Sequence, residues 1–187
     1  MNKFFTSDLH LNHCNILRYS HRPFASVERM NEVLINNINM RAKKDDVLYH
    51  IGDFICYGNE RGTIGTKVKP EEFLQKIKCK VIFIEGNHDK NNKVKTHLSG
   101  AIINLPILGK ATFSHYPSND LHCPFVFNKE ILNYHICGHV HDLWKYYYDK
   151  DKNVLNINVG IDVWRYNIVS EQEILEYIKE VKKELCL

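Results

Sequence analysis

Four short fragments built from glycine, histidine, asparagine and aspartate each follow directly on an apolar run of strand length. Gly86-Asn87-His88-Asp89 closes the run from Lys80 to Glu85, and Asp8-Leu9-His10, Gly52-Asp53 and Gly138-His139-Val140-His141 stand in similar places. His115 ends a further run, Ala111 to His115. In an open α/β sheet, ligands bind at the carboxyl ends of the strands. A chain that repeats this arrangement is constrained to a fold in which those ends converge.

The rest of the pattern agrees. Lys3 to Ser7 reads as a short strand, and Ser26 as the N-cap of a helix with Val27, Met30, Val33, Leu34, Ile38 and Arg41 at helical spacing. Val47 to Ile51 is the next strand, the glycine-rich stretch 58–65 a loop, and Pro70 opens a helix carrying Phe73, Leu74 and Ile77. The order β-α-β-α-β up to the strand Lys80 to Glu85 implies parallel neighbours in one sheet. Beyond Asn91 come shorter extended runs: Ala101 to Asn104, Ala111 to His115, Tyr134 to Cys137, Leu143 to Tyr148 and Val154 to Val159. These predict a second sheet packed on the first, closed by a helix from Ser170 to about Glu184.

With 187 residues, no linker and no internal repeat, residues 1–187 read as a single domain. A formal net charge of +3 gives no strong signal for nucleic acid or a membrane surface. No segment approaches the roughly 18 apolar residues of a bilayer span, and the N-terminus turns polar at Thr6-Ser7-Asp8 too early for a signal peptide. Six cysteines without a C-x-x-C pair read as free thiols in a reducing compartment. The expectation is a cytoplasmic protein, monomer or homodimer.

The spacing of the polar fragments suggests metal ligation. In extended chain, residues i and i+2 point the same way, so Asp8 with His10, and His139 with His141, would each present two ligands to one centre. Imidazole with carboxylate suits manganese, iron, zinc or nickel better than magnesium or calcium. Asp53, with two carboxylate oxygens, is the natural bridge between two cations.

These fragments, D-x-H, G-D, G-N-H-D, a lone His and G-H-x-H, in order from Asp8 to His141, resemble the signature of the calcineurin-like metallophosphoesterase superfamily. The resemblance implies an α/β fold, a four-layer sandwich of two mixed β-sheets flanked by helices. It further implies that Asp8, His10 and His141 hold one divalent metal ion, that Asn87, His115 and His139 hold another, and that Asp53 bridges them. Manganese is the first choice of metal. The implied activity is hydrolysis of a small phosphate ester, a phosphodiester or nucleotide ahead of a phosphomonoester, by a hydroxide activated between two cations. His88 matches the family's catalytic histidine and would be the general acid. Asp89 would either orient His88 or cap the next segment. A non-catalytic scaffold of the same fold is the alternative.

The stretch from His10 to Ile16 with Arg22-Pro23-Phe24 resembles a small bacterial and phage branch of that superfamily. On that basis Asn12, His13 and Arg22 are substrate-binding candidates, with His13 or Arg22 contacting phosphate or bracing the loop, and Asp162 would orient a ligand histidine. His50 reads as a satisfied core histidine, and Trp144 with Tyr146, Tyr147 and Tyr148 as an aromatic core strand rather than a base-stacking surface. Phe125 and Phe127 are candidates for lining a substrate pocket. A cysteine-phosphatase loop fails on spacing, since Cys56 and Arg61 have four residues between them, and no G-x-S-x-G elbow occurs.

Overall fold

The computed structural model describes residues 1–59, 65–105 and 109–187. The centre of the glycine-rich stretch, Arg61 included, lies outside the described residues. Two sheets form the body. In the first, β1 (Lys3–Thr6), β2 (Val47–Ile51) and β3 (Lys80–Ile84) run parallel in the order β3-β2-β1, and the short β9 (Val169–Ser170) adds antiparallel to β1. In the second, β4 (Gly100–Leu105), β5 (Gly109–Ser114), β6 (Asn133–Cys137), β7 (Tyr146–Asp149) and β8 (Val154–Asn158) lie in the order β4-β5-β6-β8-β7, mixed parallel and antiparallel.

The period of two along each strand separates the chain's apolar residues into two cores. Phe4 and Leu48 face the helices α2 (Val27–Arg41) and α3 (Pro70–Leu74), while Phe5, Ile51 and Ile84 face the second sheet. The rings of Phe5, Tyr49 and Phe113 stack between the sheets, with centroids 5.4–6.3 Å apart. α2 buries Val27, Met30, Leu34, Ile35 and Ile38 on one stripe, each burial contributing roughly 1.5–3 kcal/mol. Its N-cap, Ser26, accepts a bond from the Arg29 N–H as the sequence suggests.

α4 (Glu171–Leu185) starts from a capping box, Ser170 with Glu173, and Glu173 also pairs with Arg41 of α2 at 2.6 Å. The sequence reading omitted α1 (Ile16–Tyr19), the 3₁₀ turn Ile161–Trp164 and β9. All three are too short to carry a periodic signal. The run expected from Leu143 narrows to Tyr146–Asp149, an edge strand, so Trp144 lies in the loop before it and not in a core strand.

His50 is a core histidine, wedged against the rings of Phe54 and Phe83 at 5.2 and 5.5 Å. It is not satisfied, because neither ring nitrogen has a hydrogen-bond partner among the described residues. Burial, with a smaller push from His115, lowers its pKa to about 3 and keeps the ring neutral. Phe125 and Phe127 pack their rings on buried His135, at 5.9 and 5.6 Å, and so anchor their loop. All six cysteines are free thiols, and no helix among the described residues is long and apolar enough to cross a membrane.

Candidate metal centre

The loops that follow β1, β2, β3, β5 and β6 meet at one end of the sheets, and backbone bonds stitch them together. Asp8 N donates to Gly52 O at 2.9 Å, His10 N to Asp53 O at 3.0 Å and Gly138 N to His115 O at 3.0 Å. Gly52 is required where it stands: its φ is +87°, and a Cβ would lie 2.2 Å from His115 Nδ1.

Asp8, His10 and His141 offer ligand atoms all within 4.8 Å of one another, as do Asp8, Asp53 and His115. Asp53 Oδ2 stands between the two groups, 3.5 Å from His10 Nε2 and 3.5 Å from His115 Nε2. Asn87 Oδ1 lies 2.9 Å from His115 Nε2 and 3.2 Å from His139 Nδ1. Asp8 Oδ1 lies 4.0 Å from His141 Nε2. The seven ligand candidates are therefore brought together.

The spacing works through a different geometry from the extended one expected of it. Asp8, His10, Asp53, His139 and His141 all have positive φ, between 46° and 71°, so they lie in the left-handed region and not in strands. Asp, Asn and His enter that region more readily than other non-glycine residues, and the strain persists only where the surroundings hold it.

The donor set fits divalent cations. His115 Nδ1 lies 3.0 Å from Ile51 O, a group that can only accept, so Nδ1 carries the proton and Nε2 turns a lone pair toward Asn87 and Asp53. His141 is arranged likewise: Nδ1 donates to Asp162 Oδ2 at 3.1 Å and Nε2 faces Asp8. His10 Nε2 is buried without a hydrogen-bond partner, aimed at Asp53. Lone pairs that converge on carboxylate oxygens suit a cation between them.

Burial dominates the electrostatics. It lowers His10 well below the ordinary imidazole value, with His141 adding to the effect, and it lowers His139, with His115 adding. Burial also raises the Asp53 carboxyl, against the pull of His115. For His141 burial is outweighed by the hydrogen bond from its ring to Asp162 and by Asp8, and its pKa rises.

His88 sits at the mouth of the centre with its side chain 54% exposed, Nε2 4.0 Å from Asp53 Oδ2, and its backbone N–H donates to Asp53 Oδ1 at 2.9 Å. Asp89 does neither thing expected of it. Its carboxylate accepts the backbone N–H groups of Asp53, Phe54 and Gly86 at 2.8–3.0 Å and has no bond to the His88 ring. It clamps two ligand loops to each other, a positioning role.

Arg22 is likewise a brace and not a phosphate contact. Its side chain is fully buried and donates to the carbonyls of Asp8 and Leu9 and to both oxygens of Asp162, leaving no surface for substrate. Asn12 is spent on Cys56 O and Thr66 O at 3.0 and 2.7 Å, holding its own loop. His13 remains at the rim, its ring 5.6 Å from that of His10, and burial lowers its pKa. Ser7, Ser20 and Asn158 escaped the sequence reading. Ser7 Oγ donates to Asp8 Oδ2 at 2.7 Å, Ser20 Oγ approaches His141 Nδ1 at 3.3 Å, and Asn158 holds the carbonyls of His141 and Trp144 at 2.8 Å. Common polar residues without a motif carry no signal for such roles.

Residues 1–122 match the family model described as calcineurin-like phosphoesterase. The chain belongs to the calcineurin-like phosphoesterase family. That family performs metal-dependent hydrolysis of phosphate esters, and the ligand groups described above are where this member would hold its divalent metals. Among curated proteins, "Uncharacterized protein MJ1445" of Methanocaldococcus jannaschii is 40% identical over 87 residues, 46% of this chain and 46% of that protein, so the chain spans under half of that relative's length. Among solved structures, the protein of unknown function AQ665 from Aquifex aeolicus has the same fold, with a TM-score of 0.69 and 26% identity over 94% of this chain and 98% of that one.

Proposed function

We propose that this phosphoesterase is a dinuclear phosphodiesterase acting on small or nucleotide esters. The observation that carries the reading is the position of Asp53 Oδ2, equidistant at 3.5 Å from the inward-facing nitrogens of His10 and His115. Asp8, His10 and His141 would hold one divalent cation and Asn87, His115 and His139 another, with Asp53 shared, and the pair when bound supplies Lewis-acid activation of water and of the phosphoryl oxygens. Imidazole, carboxylate and amide oxygen together favour manganese, with iron, zinc or nickel as substitutes.

The chain's own contribution is positioning and proton transfer. His88 Nε2 faces the centre from an exposed ring, the position from which a proton reaches a departing alkoxide. Asp89 and Arg22 hold the ligand loops rigid through backbone bonds. The open mouth accepts an ester with groups on both sides of phosphorus, which favours diesters. Free thiols throughout suit a reducing, cytoplasmic setting, with the chain acting as a monomer or homodimer.

The test is hydrolysis of bis-p-nitrophenyl phosphate beside p-nitrophenyl phosphate by metal-stripped protein, with and without manganese. Manganese-dependent release, faster on the diester, is the expected result. Faster monoester hydrolysis would reassign the substrate class, and silence on both by protein that binds two metals would point to a scaffold.

A further inference from the structure

Two cavities flank the centre on either side of a ridge. The ridge is Tyr116 with the Asp120–His122 pair: the Tyr116 ring lies 4.9 Å from that of His139 and 5.0 Å from that of His122, and His122 Nδ1 lies 2.9 Å from Asp120 Oδ1. One cavity, of about 240 Å³, has Asn87, Lys90, Asn91, Ser99, Tyr116 and Pro124 in its wall. The other, of about 330 Å³, has Pro117, Asn119, Asp120, His139, Leu143 and Trp144 in its wall. Each is bounded by a ligand candidate, Asn87 or His139, and those two side chains approach to 3.2 Å.

We infer that the cavity beside His139 receives the nucleoside arm of a phosphodiester, its base against Trp144, and that the cavity beside Asn87 receives the other arm. This rests on the phosphodiesterase reading. The Asn87–His139 approach at 3.2 Å puts one ligand candidate at the edge of each cavity, so a phosphoryl group held there would have a cavity on either side.

The wall beside His139 carries the indole of Trp144. Trp144 lies in the loop before the edge strand, braced through its carbonyl by Asn158 and with its ring 5.9 Å from that of Tyr147. Beside it Leu143 is 79% exposed, an apolar surface directed at solvent next to the centre. Planar bases stack on such a wall, and the Asn119 amide and Asp120 carboxylate supply a donor and acceptors for base edges. Opposite, Lys90, Asn91 and Ser99 offer hydrogen-bonding groups beside Tyr116 and Pro124, a mixed wall that leaves the second arm unrestricted in kind.

The experiment compares thymidine 5′-(p-nitrophenyl phosphate) with methyl p-nitrophenyl phosphate, which shares the leaving group and lacks the nucleoside, on manganese-loaded wild type, Trp144→Ala and Trp144→Phe. Alongside, equilibrium binding of uridine 5′-monophosphate is compared with ribose 5-phosphate, which lacks only the base. The expected result is a preference for the nucleoside in both assays. Trp144→Ala lowers the ratio of kcat/KM between the two diesters about tenfold through KM, and Trp144→Phe restores most of it. Equal loss on both diesters, or equal binding of the two monophosphates, overturns the subsite. Absence of hydrolysis with base-dependent binding intact would instead overturn the phosphodiesterase reading and leave the subsite standing.

Discussion

Arg22 and Asp162, 140 residues apart, form a bidentate ion pair with side chains 0% and 2% exposed, Nε to Oδ1 at 2.7 Å and Nη2 to Oδ2 at 3.0 Å. The same Arg22 holds the carbonyls of Asp8 and Leu9, and the same Asp162 accepts from the ring of His141. One pair thus fixes the left-handed turn at Asp8 and the ring orientation of His141, which belong to one ligand group.

Asp162→Ala is expected to lose about 3–5 kcal/mol of stability, because Arg22 is left buried and unpaired, and to weaken manganese binding roughly 10- to 100-fold, because His141 loses its orienting partner. Denaturant melts and metal titration measure the two effects. The double variant Arg22→Met/Asp162→Leu should recover much of the stability and none of the metal affinity. Recovery of both would show that the pair only fills space.

His88→Ala should leave metal content and stability unchanged and lower turnover by about two to four orders of magnitude, the usual range for a general acid. Asp53→Asn should abolish turnover and weaken both metals, since Asp53 Oδ2 lies between the two groups. Metal analysis with steady-state kinetics separates them. Loss of metal in His88→Ala would sink the role given to His88.

Asp89→Ala leaves three backbone N–H groups without their carboxylate partner, those of Asp53, Phe54 and Gly86. At roughly 1–3 kcal/mol for each buried donor left unsatisfied, the variant should lose several kcal/mol and bind metal weakly. A variant that folds, binds metal and only turns over slowly would restore the view of Asp89 as a partner of His88.

Two buried imidazoles predict acid sensitivity. Burial lowers His50 to about 3 and His135 to about 4 from the ordinary 6.5, with the backbone contact from His135 to Tyr116 O opposing. Both folded-state values are depressed, so the unfolded chain takes up these protons first as pH falls. Stability is therefore full above about pH 6.5 and declines below it, by about 1.4 kcal/mol per pH unit for each histidine, until the native rings titrate near pH 4 and 3. Denaturant melts of metal-free protein from pH 7 to 4.5 should show this decline, to which the lowered His10, His13 and His139 add, and His50→Leu should reduce the slope by about 1.4 kcal/mol per pH unit. An unchanged slope in that variant would mean that His50 is hydrated.

Much of the site was legible in the sequence because its ligands are rare residue types on short fragments that follow apolar runs. Asp8, His10, Asp53, Asn87, His115, His139 and His141 could be named as ligand candidates from their order and its resemblance to the family signature. The strands carrying them were legible to within two residues in most cases, since Phe4-Phe5 and Val47 to Ile51 are dense in β-forming, apolar side chains. Asn12 and Asp89 have roles other than those expected, and Arg22 is a brace, one of its two expected readings, because charge and amide groups near a motif look the same whether they face substrate or backbone. Their hydrogen bonds, to Asp8 O, Cys56 O and Asp53 N, depend on which loops meet, and no local pattern encodes that.

What the sequence by itself determined is the inventory: the ligand types, their order, the alternation that sends Phe4 and Phe5 to opposite cores, and the caps at Ser26 and Ser170. These depend on neighbours within a few residues, where propensity and periodicity act. Only the tertiary structure decided the left-handed backbone at five ligand candidates, the Arg22–Asp162 brace, the unsatisfied ring of His50 and the two cavities beside Asn87 and His139. Each of these arises where segments distant in the chain are packed together, and burial, unlike propensity, is a property of the whole fold.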